Sequence, residues 1–379
     1  MRPESSNSEA SRLSHISTSM IRRMFDVVAK AKKEGRDVIN LSIGEPDFDT
    51  HPSIVEKASE AMQEGFTHYS SSFGLDELRE LIAERYSGID PGNVMVTAGA
   101  SEALLNASLA FIEEGSRVII PTPNFLSYFT YAKLCGAKVE HFSTHDNNFE
   151  IDANALHEVM DHDVSLIFIN YPNNPTGAVM DNLKEVAEIA GEYNALVISD
   201  EIYDSIYYDK RHRSLAGMNN VVVVNGFSKS MSMTGWRVGY VLAEDELVDP
   251  MLKVHQVNGV CAPTFAQKAI ADVMETGEDK KITGEMVKEF RRRRDFVYNR
   301  LTEMGLNSVK PEGAFYIFPE VPYNCVEFSE KLVDYGVVVT PGIPFGEGND
   351  HHIRISYAAS MDDLEKAMER MEVFVGQQF

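Results

Sequence analysis

Short apolar runs rich in valine and isoleucine recur between residues 94 and 243, separated by longer segments with apolar residues at helical spacing. Residues 94–97 read as a strand followed by a helix over 101–112. Residues 117–120 precede a helix over 125–135 and a further strand over 138–142. Residues 164–170 precede a helix over 183–193, and 195–199, 221–225 and 238–242 are β-branched runs closed by turn residues. This alternation predicts an α/β unit with a mainly parallel central sheet flanked by helices. Beyond about residue 260 the pattern changes. Helical segments, including a charged one over 284–304, flank short strands at 314–318, 337–340 and 353–357. They predict a smaller α+β C-terminal domain. The expected division is an N-terminal arm over 1–45 packing on the small domain, a large α/β domain over 46–258 and the small domain over 259–379.

In open parallel sheets, ligands bind outside the carboxyl ends of the strands. That rule brings distant residues to one edge. Gly99, Ala100 and Ser101 follow the first strand, Asn174 follows 164–170, Asp200 and Tyr203 follow 195–199, and Lys229 follows the four valines Val221–Val224. A lysine at the end of a buried strand is chemically notable, because a charge is costly to bury unless it is paired or neutralised. Such a lysine shifts its pKa readily and attacks carbonyls as a free amine. Arg237, eight residues on, offers a planar fork suited to phosphate. An amine beside a phosphate site is what pyridoxal 5′-phosphate requires: a Schiff-base partner for its aldehyde and an anchor for its phosphate. The plain alternative is a solvated surface lysine.

The other strand-end residues carry similar double readings. Gly99–Ser101 runs into a helix, whose free N–H groups suit phosphate; equally, Ser101 reads as an ordinary N-cap with Glu102 in the first turn. Asn174, in the breaker-rich turn 171–177, is a candidate donor to a phenolate oxygen or a turn asparagine. Asp200 is a candidate partner for a pyridinium nitrogen, keeping such a ring protonated as an electron sink, with Tyr203 in reach of the ring's O3′. The alternative is a Ser/Asp helix cap. Phe125 either lies flat on a ring or packs in the core. Arg354, inside the apolar run 352–358, needs an anion: a substrate α-carboxylate or a structural partner.

Composition narrows the classes. The 379-residue chain is 44% hydrophobic with a formal net charge of −23, which argues against nucleic acid or anionic membrane as partners. No apolar run reaches membrane-spanning length, and the polar N-terminus does not read as a secretory signal. Three scattered cysteines, Cys135, Cys261 and Cys325, fit a reducing cytoplasm and show no metal-ligand spacing. His351–His352 reads as a solvated loop pair, and the basic run Arg291–Arg294 as a solvated or interface face of its helix.

Taken in order, Gly99–Ser101, Phe125, Asn174, Asp200 with Tyr203, Lys229 with Arg237, and Arg354 resemble the fold-type-I pyridoxal-phosphate enzymes. The similarity is to the class I/II aminotransferases, near the aspartate and aromatic subfamily. It runs from about Leu41 to the C-terminus and includes the stretches 41–48, 68–79, 225–240, 311–316 and 341–346.

The resemblance implies that Lys229 is the Schiff-base lysine and proton carrier, Asp200 the pyridine-nitrogen partner, and Asn174 and Tyr203 the O3′ ligands. Phe125 stacks on the ring, where relatives usually carry Tyr or Trp. Gly99, Ala100, Ser101, Ser228 and Arg237 bind phosphate. Tyr69 reaches the phosphate of the neighbouring subunit in a homodimer with shared active sites. Arg354, helped by the backbone of Gly44, clamps the α-carboxylate. The implied reaction moves an amino group from an aspartate or aromatic L-amino acid to 2-oxoglutarate. Some bacterial aspartate enzymes of this group carry a lysine where Ser101 stands, so strict aspartate specificity is not implied. Alanine or broad-specificity transamination, C–S lyase chemistry and a non-enzymatic regulatory role are the alternatives on the same fold.

Overall fold

The computed structural model describes residues 10–16, 28–29 and 33–378. Much of the expected N-terminal arm therefore lies outside the described residues. In chain order the strands are β1 (Ile39–Asn40), β2 (Val94–Thr97), β3 (Arg117–Thr122), β4 (Lys138–Ser143), β5 (Val164–Asn170), β6 (Leu196–Asp200), β7 (Val221–Gly226), β8 (Gly239–Leu242), β9 (Tyr316–Ile317), β10 (Val337–Val338), β11 (Thr340–Pro341) and β12 (Ile353–Ser356). Seven of them form one sheet in the order β2-β8-β7-β6-β5-β3-β4. The pairings among β3 to β7 are parallel, whereas β8 runs antiparallel to both β2 and β7.

Alternate residues of these strands enter two different cores. Ile167, Ile169, Val197, Val221 and Val223 pack on one face; Leu166, Phe168, Ile198, Val222 and Val224 pack on the other. Both faces are covered, which is why the strands read as continuous apolar runs rather than as alternating ones. The first face meets helices Asp76–Ala83, Leu183–Glu192 and Thr264–Glu275. The second meets Ala100–Phe111, Leu126–Leu134 and Asp245–Asn258. Completely burying one valine contributes about 1.5 kcal/mol or more, so the four-valine strand is a strong anchor for whatever follows it.

A third core surrounds a three-stranded antiparallel sheet, β11-β12-β9. The separate pair β1-β10 is parallel, and Ser356 N donates to Leu41 O at 2.9 Å. The segment that leaves β1 is thus held beside β12, which carries Arg354.

Two sequence expectations need correction. The basic run is not a uniformly solvated face of helix Glu278–Glu303. Arg294 is 1% exposed, lies 4.5 Å from the Tyr208 ring centre and bridges Asp209 and Asp295 at 3.2 and 2.9 Å. Arg293 is likewise buried and joins Asp47 and Glu289 at 2.6 and 2.9 Å. These guanidinium groups pin the 41–50 segment and the 204–209 turn to the helix. The histidine pair also divides. His351 is exposed, but His352 stacks on Phe318 at 5.0 Å, and burial lowers its pKa to about 4.

Replacing Arg294 with Ala removes a buried, stacked and paired group, so the unfolding free energy should fall by about 2–3 kcal/mol. Arg292 has a 61% exposed side chain, and Arg292→Ala should cost about 0.5 kcal/mol or less. Urea unfolding of both variants checks the contrast; equal losses would remove the assigned role of Arg294.

Candidate active site

Asn170 pairs in register with Asp200, and Asp200 with Val224, so β5, β6 and β7 end at one edge of the sheet. A cavity of about 450 Å³ opens there. Its wall contains Gly44, Ala100, Ser101, Phe125, Asn174, Asp200, Tyr203, Ser228, Lys229, Arg237 and Arg354. Of the residues named from sequence, Gly99 and Tyr69 alone are not in that wall. Gly99 stands directly behind it. Tyr69 is 84% exposed.

Lys229 and Ser228 lie on the short helix Phe227–Ser230, immediately after the valine strand. Lys229 Nζ donates to Gly44 O at 2.7 Å. Burial holds its pKa down to about 8, with Arg354 and Arg237 acting in the same direction and Glu45 and Asp200 opposing. Gly44 must approach closely: a Cβ there would lie 2.7 Å from the Tyr316 hydroxyl. Asp200 is 4% exposed. Burial pushes its carboxyl up to about 6, and a hydrogen bond from Tyr128, the N–H of Ile202 and the charge of Lys229 limit the rise. No helix follows Asp200. Its Oδ1 accepts from Ile202 N at 3.1 Å within a turn, which removes the helix-cap alternative.

Arg237 precedes a strand, unlike the other site residues, and the direction of β8 explains its place. Gly226 and Gly239 are paired across β7 and β8, so the connection carrying Lys229 and Arg237 leaves and re-enters the sheet at the same edge. Arg237 is exposed, donates to Thr234 O at 2.8 Å and has no acidic partner among the described residues. It abuts Gly99, where a Cβ would lie 2.5 Å from Nη2. Gly99, with φ +88°, is the N-cap of helix Ala100–Phe111. The ordinary-cap reading of Ser101 is therefore overturned: Ser101 is the second residue of the helix. The carboxylate of Glu102 binds the N–H of Ala98, while the N–H groups of Glu102 and Ala103 meet Gly99 O. The first-turn N–H groups of Ala100 and Ser101 remain available for an anion.

Arg354, 2% exposed, has only neutral oxygen partners among the described residues: Asn174 Oδ1 at 2.9 Å, Ser42 O at 2.6 Å and Thr340 Oγ1 at 3.4 Å. Its guanidinium lies over the Tyr316 and Phe345 rings at 4.6 and 5.2 Å, and Nε is buried without a partner. A buried guanidinium without a carboxylate retains unmet capacity for an anion.

Sequence reasoning missed two tyrosines. Tyr128 donates to Asp200 Oδ2 at 2.7 Å. Tyr316 and Tyr203 share a hydroxyl–hydroxyl contact of 2.8 Å. The signal for Tyr128 was its spacing from Phe125: three positions on, at the start of helix Leu126–Leu134, it faces the same way. Tyr316 lies within the matched stretch 311–316, but its contacts cross from one sheet to the other and leave no local signature.

Fold and cavity together are those of a doubly wound α/β enzyme built around a lysine amine. The family profile described as aminotransferase class I and II matches residues 36–371, and the chain belongs to that family: it is an aminotransferase. It is 41% identical to a probable aspartate aminotransferase of Methanocaldococcus jannaschii, covering 95% of this chain and 97% of the relative. It is 39% identical to aromatic-amino-acid aminotransferase 2 of Thermococcus litoralis, covering 95% and 96%. The solved structure of aspartate aminotransferase from Thermotoga maritima superposes with a TM-score of 0.91 at 36% identity, covering 97% of this chain and all of that one.

The lowered pKa of Lys229 gives a direct test, because only the neutral amine reacts. In protein stripped of bound ligands, acetylation of Lys229 should rise with pH and reach half its maximum near pH 8. Lys184, with a 73% exposed side chain, provides the comparison. Mass spectrometry of the two peptides reads the profiles; coincident curves would mean that the Lys229 amine is not desolvated.

Proposed function

We propose that the cavity binds pyridoxal 5′-phosphate and that the enzyme transfers the amino group of an aspartate or aromatic L-amino acid to 2-oxoglutarate. The observation that carries this reading is the half-buried Lys229, whose amine is desolvated within the cavity wall beside a carboxylate and two arginines that have no acidic partner among the described residues. The wall suits the cofactor group by group. Arg237, Ser228 and the turn Gly99–Ala100–Ser101 would hold the phosphate. Asp200, with a free lone pair on each oxygen, would hold the ring nitrogen. Asn174 and Tyr203 would face O3′, and Phe125 would cover the ring. Arg354, aided by Gly44, would take the substrate α-carboxylate.

When bound, the cofactor supplies an aldehyde to receive the amino group and a ring that draws electrons from the substrate Cα. The protein supplies the proton handling. Lys229 Nζ would take the proton from the substrate Cα and hold it for return, and a pKa near neutrality suits both directions. Asp200 would favour a proton on the ring nitrogen. Arg354 fixes the amino acid by its carboxylate, so that the Cα–H bond faces the lysine.

Exposed Tyr69 fits a role at the phosphate of a neighbouring subunit, which makes a homodimer the working unit. The division into an arm over 1–45 and domains over 46–258 and 259–379 is part of this reading, and the distinct cores on the seven-stranded and three-stranded sheets support the two domains. The acidic balance and sparse cysteines favour a cytoplasmic setting. Relatives named for aspartate and for aromatic amino acids support both donor classes.

The test is an absorption titration of the pyridoxal-phosphate-loaded protein with aspartate, phenylalanine, tyrosine and alanine separately. Conversion of the aldehyde-form band to the amine-form band should occur with aspartate or an aromatic donor, and Lys229→Ala should bind cofactor yet lose the conversion. A loaded wild type that converts with none of them would overturn the substrate class. Arg354→Gln should raise the donor KM by about a hundredfold, the loss of a charge-assisted pair; an unchanged KM would remove Arg354 as the carboxylate site.

A further inference from the structure

We propose that Tyr128 is a positioning residue that holds Asp200 as an oriented, ionised carboxylate facing the cavity. The inference rests on the reading of Asp200 as the partner of the cofactor's ring nitrogen, and extends it to a residue that acts through Asp200. Among the described residues each carboxylate oxygen has one donor: Tyr128 Oη on Oδ2 at 2.7 Å and Ile202 N on Oδ1 at 3.1 Å. Two donors from different elements, a helix and a strand-end turn, fix the plane of the group. One lone pair on each oxygen stays open to the cavity.

Tyr128 has little freedom to do anything else. It is 1% exposed, its ring stacks on Phe168 at 5.3 Å and 12°, and the Phe125 ring meets it edge-on at 5.6 Å. Phe168 belongs to β5, beside the strand that ends in Asp200, so the sheet itself fixes where the hydroxyl points. Phe125 caps the helix on which Tyr128 stands. One helical turn therefore presents both the ring-covering side chain and the hydroxyl that holds the carboxylate.

The electrostatics require such a donor. Asp200 is faced by Lys229, Tyr203 and Tyr131, and by its neighbour Glu201. Burial and Glu201 favour the neutral acid, whereas Lys229 favours the anion. Lys229 is the group that moves protons, so its charge is not a constant support. Tyr128 is neutral throughout, because burial and the Asp200 charge both hold its own proton in place. Its hydrogen bond favours the anion at every stage.

The experiment is a double-mutant cycle with Tyr128→Phe and Asp200→Asn, which keeps the stacked ring and the planar shape of the side chain at 200. In ligand-free protein at pH 8, the change in urea unfolding midpoint caused by Tyr128→Phe should be larger with Asp200 in place than in the Asp200→Asn background. The excess should shrink at pH 5, where Asp200 is protonated. Additive midpoints at pH 8 would overturn the proposal. In parallel, Tyr128→Phe should weaken pyridoxal 5′-phosphate binding about tenfold at pH 8, the scale of a hydrogen bond to a charged group, and leave the donor KM at saturating cofactor unchanged. Unchanged cofactor affinity beside a wild type that binds would overturn the role of Tyr128 alone. A wild type that binds no pyridoxal 5′-phosphate would overturn the function proposed above and this role with it.

Discussion

The cost of removing charge from water governs this molecule. Around one cavity the chain places Lys229, Arg237, Arg354 and Asp200, and no two of them form a close ion pair. The favourable interactions that would normally compensate burial are therefore left open at the site and supplied elsewhere. Four consecutive valines secure the approach to Lys229, two covered faces keep the sheet rigid, and neutral oxygens with aromatic rings surround Arg354. The same penalty that lowers the lysine also raises the aspartate. The lysine is thereby brought to a range where it can exchange a proton, while the ionised state of the aspartate comes to depend on the donors around it.

This arrangement also explains the buried arginines of the long helix. Arg293 and Arg294 are fully paired, in contrast to Arg354. Their role is attachment: they tie the segments on either side of the cavity to one helix. The pairing state of a buried arginine thus separates a brace from a receptor more clearly than burial does.

Much of the large sheet was legible because a parallel strand covered on both faces must be apolar throughout, and each such run ended in a polar residue. Strand-end logic alone was enough to gather Asn174, Asp200 and Lys229. It was blind to the direction of β8, which is set by pairing with β2 and β7 and has no trace in a short apolar run. Arg237 was named through its neighbourhood and the family pattern, not through its geometry. Tyr128 and Tyr316 were hidden because a tyrosine in an apolar segment reads as core, and both are indeed buried; only the third dimension shows where each hydroxyl ends. His352 misled for the opposite reason, since adjacent histidines suggest a wet loop, yet one of them is sealed against Phe318. Ser101 looked like a cap because serine often is one, but the positive φ of Gly99 had already turned the chain into the helix.

The paired glycines Gly226 and Gly239 close a loop whose two ends sit on adjacent strands. Lys229 and Arg237 are consequently spaced by covalent length and local pairing, like two teeth on one comb. Arg354 comes from a different sheet, and its distance from the lysine depends on how β12 seats beside the large sheet. An insertion between 226 and 239 would alter the spacing of amine and guanidinium directly, whereas a shift in the seating of β12 would move Arg354 relative to both at once.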